Sequence, residues 1–336
     1  MKREKMKVFH GLVNYGTQAG MFAKELRSRG IRAVSVVQAD PSRRMADINM
    51  RYDLNQKYVF IRQLQRMWIK FSAFFKYNVF HFYFGKSLWP FNIDLPLYKL
   101  FGKKVVMEYL GSDVALWLGL NGVDWRGRPA RRVKTMKRTF RQARLVDKQL
   151  VCAPCYYEVV DNSIVLPLAL DLSDYSYHEW HSDIKNLTIM HCPTNRMAKK
   201  SDYIEAALDR LRSEGYHFTY KCITNVTHAQ LKEEYISSDI VIDQLNAWYG
   251  TVSVEAMALG RPVVSGYRPH VCHYDKRFEN LPIINADVYN IYDVLKDILD
   301  GKYDLESISK ACREFVMKTH DLKSVTNQLI ELYESI

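Results

Sequence analysis

The chain is predicted to be an α/β protein of two successive Rossmann-like domains, each built on a parallel sheet. Three observations carry this. Strand-like and helix-like segments alternate from the amino terminus, the alternation restarts near residue 187 after an aperiodic stretch, and 336 residues exceed what one core comfortably holds.

Residues 7–13 (KVFHGLV) read as a buried strand and residues 14–20 (NYGTQAG) as a glycine-bearing loop. Residues 21–29 carry a helical pattern that Gly30 stops, and residues 31–37 form a β-branched second strand. Strand, loop, helix, strand is a βαβ unit, which implies a parallel sheet covered by helices. Residues 79–84, 104–109 and 149–152 continue that sheet, with a helix over 129–145 and an exit segment at 163–167. Residues 168–183 lack a period and mark the crossing between domains. Strands then recur at 187–191, 218–223, 240–243 and 262–264, and helices at 201–213, 229–237, 252–259, 287–299, 305–318 and 324–335. The division expected is 1–166 and 167–318, with 319–336 a terminal helix open to crossing back.

A hydrophobic share of 48% against 25% charged residues is a normal globular balance. The net charge of +11 is unevenly spread. Residues 1–165 hold 30 Lys and Arg against 12 Asp and Glu, whereas residues 166–336 hold 18 against 25. A basic half attracts nucleic acid, acidic polysaccharide or an anionic membrane. Nucleic acid is disfavoured, because the cations are not interleaved with loop aromatics in a recognisable motif. Six cysteines in so long a chain make no disulfide framework, no secretory signal precedes the first strand, and no apolar run of about 20 residues would span a membrane. A reducing cytoplasm is the expected compartment.

Residues 239–265 (DIVIDQLNAWYGTVSVEAMALGRPVVS) carry the most chemistry. A strand ends at Asp243, a loop through Tyr249 and Gly250 follows, and a helix opens near Thr251. Its first-turn amides and partial positive charge seat a diphosphate. Glu255, one turn in, is placed to accept two hydrogen bonds from vicinal ribose hydroxyls. A second segment, His191–Ser201 (HCPTNRMAKKS), follows a strand and offers Arg196, Lys199 and Lys200 as cations for charge that develops on a departing diphosphate.

Gly250, Glu255, Ala256, Met257, Gly260, Pro262 and Val263 resemble, position by position, the signature of the retaining glycosyltransferases of family 4. That family has the GT-B fold, two facing Rossmann-like domains. The resemblance implies a nucleotide-sugar donor, UDP- or GDP-linked, bound on the second domain in the cleft. Tyr249, Gly250, Thr251 and Glu255 would contact it, and Arg196 and Lys199, with Lys200 as stand-in, would hold its phosphates. It also implies work without a metal or other cofactor. The first signature glutamate falls on Ala247. The plain alternative for Glu255, a solvated first-turn carboxylate, is outweighed by the matching turn that follows it.

In the first domain, Gly16 and Gly20 would let backbone approach the donor phosphates, or else serve a tight turn. Glu108–Asp113 (EYLGSD) resembles a family segment reading His-Gly-Ser-Asp, with Leu110 in the histidine position. Asp113 is then either a polar group at the acceptor hydroxyl or the N-cap of a helix over 114–118. In 62–76, Arg62, Arg66 and Lys70 recur every four residues while Trp68, Phe71 and Phe75 line another face, a pattern suited to a membrane interface. The helix over 129–145 adds Arg131, Arg132, Lys134, Lys137, Arg138, Arg141 and Arg144 around Val133, Met136 and Phe140. The function expected is sugar transfer to a membrane-associated or lipid-linked glycan, by a peripheral protein at the inner face of the cell membrane. The alternative is a GT-B nucleotide- or glycan-binding protein without turnover.

Overall fold

The computed structural model describes residues 3–41, 44–111, 113–114, 132–181, 184–246 and 248–336. They fall into two compact units. One holds the described residues up to Ala169 together with Leu322–Ile336; the other holds Leu170–Asp321. The helix expected over 129–145 is described from Arg132. Residues 129–131, residues 115–118 of the short helix expected after Asp113, and Ala247 lie outside the described residues.

The first unit runs β1 (Lys7–Leu12), α1 (Gln18–Ser28), β2 (Arg32–Val37), β3 (Ile48–Asn49), α2 (Val59–Lys76), β4 (Val79–Tyr83), α3 (Leu95–Leu100), β5 (Lys104–Tyr109), α4 (Arg132–Ala143), β6 (Lys148–Val151) and β7 (Ile164–Val165). Its sheet has the order β3-β2-β1-β4-β5-β6-β7, and every pairing is parallel. The strands β1 and β4 are buried throughout except for Lys7, as a sheet covered on both faces requires. On one face Val8, Val79, Val106 and Leu150 pack on Phe22 and Leu26 of α1. On the other, Phe80 and Phe82 meet Tyr98 of α3 at ring separations of 4.4 and 5.9 Å.

The second unit runs β8 (Thr188–His191), α5 (Arg196–Lys199), α6 (Ser201–Ser213), β9 (Thr219–Cys222), α7 (His228–Ile236), β10 (Ile240–Ile242), α8 (Thr251–Ala258), β11 (Val263–Ser265), α9 (Pro269–Cys272), β12 (Ile283–Asn285), α10 (Ile291–Leu299) and α11 (Leu305–Thr319). Its parallel sheet has the order β12-β11-β10-β8-β9. Ile189, Ile240, Ile242 and Val264 form its core with Leu208 and Leu211 of α6 and Leu295 and Ile298 of α10. The terminal helix α12 (Leu322–Ser335) belongs to the first unit. Its stripe Leu322, Val325, Leu329, Tyr333, at spacings of three and four, joins the core beside α1.

Several elements depart from the sequence pattern. The helix α1 begins at Gln18, so Gly20 lies inside it and not in the loop. A Cβ at Gly20 would come within 2.0 Å of the Met45 carbonyl oxygen, so this glycine serves a close backbone crossing. The short β3, α3 and β12 were not expected, because two- and three-residue strands and a six-residue helix carry too little periodicity.

Candidate functional site

In the second sheet β8 and β10 are neighbours from which the strand order departs in opposite directions, to β9 on one side and to β11 and β12 on the other. The carboxyl ends of such a pair are where open α/β sheets bind ligands. The strand β8 ends at His191 and β10 at Ile242, so the segments 192–200 and 243–250 both emerge there. They are joined directly: the Asn246 side-chain amide donates to the Ala198 carbonyl at 2.6 Å. His191 anchors the crossing, its Nδ1 donating to the Ile242 carbonyl at 2.9 Å and its Nε2 accepting from the Ser201 hydroxyl at 2.8 Å.

The helix α8 has Gly250 at its N-cap and no capping side chain of its own. Asp243 supplies the acceptor instead. Its Oδ2 accepts from the Gly250 amide at 2.8 Å and the Ser253 hydroxyl at 2.7 Å, and its Oδ1 takes the Lys199 ammonium. Asp243 is fully buried and Lys199 nearly so. Burial pushes the Asp243 carboxyl up, but the Lys199 charge and the hydrogen bonds outweigh it and hold the group below its ordinary range. The next amides of α8, at Thr251, Val252 and Ser253, have no intrahelical acceptor, and Thr251 and Val252 are half-exposed. A Cβ at Gly250 would sit 3.3 Å from Asp243 Oδ2 and 3.8 Å from Lys199 Nζ. A side chain at this position would therefore crowd the Asp243 carboxylate.

Glu255, one turn along, is set in a polar group of its own. Its Oε1 lies 3.2 Å from His228 Nε2, its Oε2 accepts from the Tyr235 hydroxyl at 3.3 Å, and the Tyr175 hydroxyl is 3.2 Å from the same His228 nitrogen. The hydrogen bond to Glu255 raises the His228 pKa. Tyr235 also meets the Cys192 thiol at 3.6 Å, which ties Glu255 to the segment after β8.

The predicted residues separate on this geometry. Lys199, Gly250, Thr251 and Glu255 gather around the start of α8. Arg196 turns away from it. Its guanidinium is held by Glu205 and lies 3.5 Å from Asp202, both on α6, with Nη1 donating to the Cys222 sulfur at 3.6 Å. Lys200 takes a left-handed backbone, φ 64°, and separates α5 from α6. Tyr249 is buried, stacks on Trp248 at 5.2 Å and reaches His320 Nε2 at 3.0 Å, so it packs in the core. Sequence reasoning missed Asp243, Tyr235, His228 and Tyr175. Only Asp243 carried a signal, an acidic residue ending a strand just before a glycine loop.

In the first unit the loop holding Gly16 is closed by Gln18, whose side chain donates to the Gly16 and Ala169 carbonyls at 3.2 and 2.9 Å. Gly16 has φ 50°, a turn geometry that favours glycine. Asp113, just after β5, accepts from the Gly111 amide through Oδ1, while its buried Oδ2 has no hydrogen-bond partner among the described residues. Burial raises its pKa to about 6. Arg138 donates to its main-chain oxygen.

A fully buried cluster that was not expected spans β1, β4, β5 and α12. His10 Nδ1 is 2.7 Å from the Tyr83 hydroxyl, His81 Nδ1 is 2.7 Å from the Tyr333 hydroxyl, and His81 Nε2 is 2.9 Å from Glu108 Oε2. The His81–Glu108 contact has the length of an ion pair without hydrogen-bond alignment. Burial lowers His81 to about 3 and raises Glu108 to about 8, so both are neutral near pH 7.

On α2 the aromatic side faces outward, with Trp68 and Phe71 exposed, whereas Arg62, Arg66 and Lys70 are half-buried toward the body of the unit. Lys70 Nζ lies 5.2 Å from the Trp89 ring, and burial lowers its pKa. Among the described residues, no helix is long and apolar enough to cross a membrane.

No family model matches the chain, and no curated protein matches it. Solved structures do. The chain is similar to Anabaena Alr3699/HepE, crystallised with UDP-glucose, with a TM-score of 0.58 and 13% identity over 98% of this chain and all of that one. It is similar to the catalytic domain of Arabidopsis thaliana starch synthase IV bound to ADP and acarbose, with a TM-score of 0.60 and 11% identity over 98% and 99%. A putative UDP-N-acetylglucosamine 2-epimerase from Listeria monocytogenes gives a TM-score of 0.52 at 12% identity over 98% and 96%. Two parallel sheets with their helices, matched nearly end to end by these structures, make the architecture GT-B.

Proposed function

We propose that the protein is a retaining glycosyltransferase that moves a sugar from a nucleoside diphosphate sugar to a membrane-associated or lipid-linked glycan. One observation supports it above the rest: Lys199, paired with buried Asp243, sits at the amino end of α8 one turn from Glu255, at the switch point of the second sheet. The diphosphate would lie on the first-turn amides of α8 and on Lys199, with the ribose hydroxyls on Glu255. Arg196 joins by leaving Glu205. That pair is half-exposed on the arginine side, where water and salt screen it, so a dianionic ligand outcompetes it.

In the transfer, the bond between the anomeric carbon and the diphosphate oxygen breaks and its electron pair leaves on the phosphate. The acceptor oxygen bonds to the same carbon, and its proton passes to the departing phosphate. Charge on the leaving group is met by Lys199, Arg196 and α8, so turnover is expected to survive chelation by EDTA. Asp113, with a carboxyl oxygen that has no partner among the described residues, is assigned to the acceptor side.

The test is a thermal-shift series with UDP, GDP, ADP and their sugars on the wild type and on Glu255→Ala. A ligand at a hundred times its Kd stabilises by about 2.7 kcal/mol. Glu255→Ala is expected to lose most of that shift, and an unchanged shift would remove Glu255 from the site. A nucleotide-binding protein without turnover is the second possibility, favoured by the paired state of Arg196 and by Ala247 in place of the first signature glutamate. Release of free nucleoside diphosphate from any donor and acceptor pair decides between them.

A further inference from the structure

The helix α2 is inside out. A surface helix normally turns its apolar stripe to the core. Here only Ala73 is fully buried, and the stripe Phe60, Leu64, Trp68, Phe71 and Phe75 points to solvent, with Trp68 66% and Phe75 67% exposed. The apolar surface does not stop at the helix. Phe74 of α2 meets Phe101 at 5.4 Å and Tyr98 at 5.5 Å, so the stripe continues onto the segment 91–101. That segment exposes Phe91 at 90%, Leu100 at 76%, and Ile93, Leu97 and Phe101 at half or more. Lys99 then reaches the Arg144 carbonyl at 3.0 Å, and the Arg144 guanidinium lies over exposed Phe140 of α4. Soluble monomers rarely expose contiguous apolar surface on this scale.

The charges around it select its occupant. Residues 54–111 hold nine Lys and Arg, and their two acids, Asp94 and Glu108, are both buried. The surface is thus aromatic, aliphatic and cationic, with no exposed carboxylate among the described residues of that stretch. A second copy would bring like charges together. A bilayer with anionic headgroups satisfies both parts: acyl chains take the stripe, and lysines such as Lys57, Lys76 and Lys99 extend to the phosphates.

We propose that the outward face of α2 and the segment 91–101 together form a monotopic insertion surface for an anionic bilayer. This deepens the membrane-associated acceptor of the proposed function. Of the α2 residues expected at a membrane it keeps Trp68 and Phe71, drops the half-buried Arg62, Arg66 and Lys70, and adds a segment with no membrane signal in the sequence.

The experiment is flotation of the full chain with vesicles of phosphatidylcholine mixed with phosphatidylglycerol, and with phosphatidylcholine alone. The wild type is expected to float with the mixed vesicles, more weakly in high salt and more weakly with the neutral ones. Phe71→Ser with Phe75→Ser, and separately Leu97→Ser with Leu100→Ser, are each expected to cut the partition at least about tenfold. Tyr203→Ser with Tyr289→Ser, at exposed positions in the other unit, controls for lost surface aromatics. Circular dichroism and the melting temperature confirm the fold of each variant. Absent flotation of the wild type, or either double variant floating like it, overturns the proposal. So does concentration-dependent self-association, abolished by the same variants, with vesicles left unbound. The nucleotide shift is read on the same samples. A lost shift in Glu255→Ala with flotation intact bears on the donor site alone, and lost flotation with the shift intact bears on this surface alone.

Discussion

Asp243→Asn tests whether the start of α8 is held ready by a buried ion pair. The carboxylate is fully buried and takes the Lys199 ammonium, the Gly250 amide and the Ser253 hydroxyl. Asparagine keeps one oxygen for the amide and hydroxyl but no charge for the lysine. Removing one partner of a buried pair costs about 3–5 kcal/mol. Lys199 retains 12% exposure and relaxes partly into water, which favours the lower figure. A loss of about 3 kcal/mol corresponds to a fall of roughly 6–12 °C in melting temperature for a domain of this size. Lys199→Met strands the other charge and is expected to cost a similar amount. The double variant strands neither, so it is expected to recover about 2 kcal/mol of the summed losses.

Urea denaturation of the four proteins closes that cycle. Single costs below about 1 kcal/mol that simply add would refute the idea that Asp243 positions Lys199. Ligand binding separates the singles: Asp243→Asn leaves Lys199 uncompensated at the helix end and is expected to bind UDP up to about tenfold more tightly, whereas Lys199→Met weakens it. The acid limb follows with its sign. A carboxyl whose folded pKa lies below its ordinary 3.8 contributes stability that is full above that value and lost as pH falls through the lower folded one. In Asp243→Asn that part of the acid dependence disappears.

Glu108, at about 8 in the folded state against 4.5 ordinarily, binds a proton on folding between those values, so it contributes stability that declines as pH rises through that window. Above the ordinary histidine value of 6.5 no opposing change remains from His10 or His81, and stability is expected to fall by up to about 2 kcal/mol toward pH 8. Chemical denaturation at several pH values reads it, and a slope unchanged in Glu108→Gln would contradict the assignment. Gly20→Ala forces a methyl to within 2.0 Å of the Met45 carbonyl oxygen and is expected to cost about 1–3 kcal/mol or more in a melt, with no separate effect on nucleotide binding. His228→Gln is expected to flatten the pH dependence of nucleotide binding on the acid side, since protonated His228 competes with ribose for Glu255; an unchanged pH profile would exclude that competition.

The architecture was legible because parallel sheets buried on both faces write themselves as separate β-branched runs divided by glycine-ended helices. The start of α8 was legible for a related reason. Gly250, Glu255 and Gly260 each answer to backbone geometry local to one helix, and local geometry leaves a local trace. Asp243 was half legible, as the last polar residue of a strand. The partners of Glu255 were not, because Tyr175, His228 and Tyr235 come from three separate segments and nothing in their neighbours marks them.

The arginine and the glycine that lie elsewhere than their sequence positions suggest share one cause. Residue type and position relative to a strand define what a side chain can reach, but competing partners decide where it goes. Arg196 lies at the right end of β8, yet Glu205, nine residues on along α6, is a nearer carboxylate than any ligand in the free protein. Gly20 lies at the right end of β1, yet the Met45 backbone already fills the space its missing side chain leaves. On α2 the same limit acts on a whole helix. Its two faces were distinguishable by spacing, but which of them turns inward depends on the surface beneath. That surface accepts the half-buried cations, Lys70 over the Trp89 ring among them, and leaves the aromatic face outward.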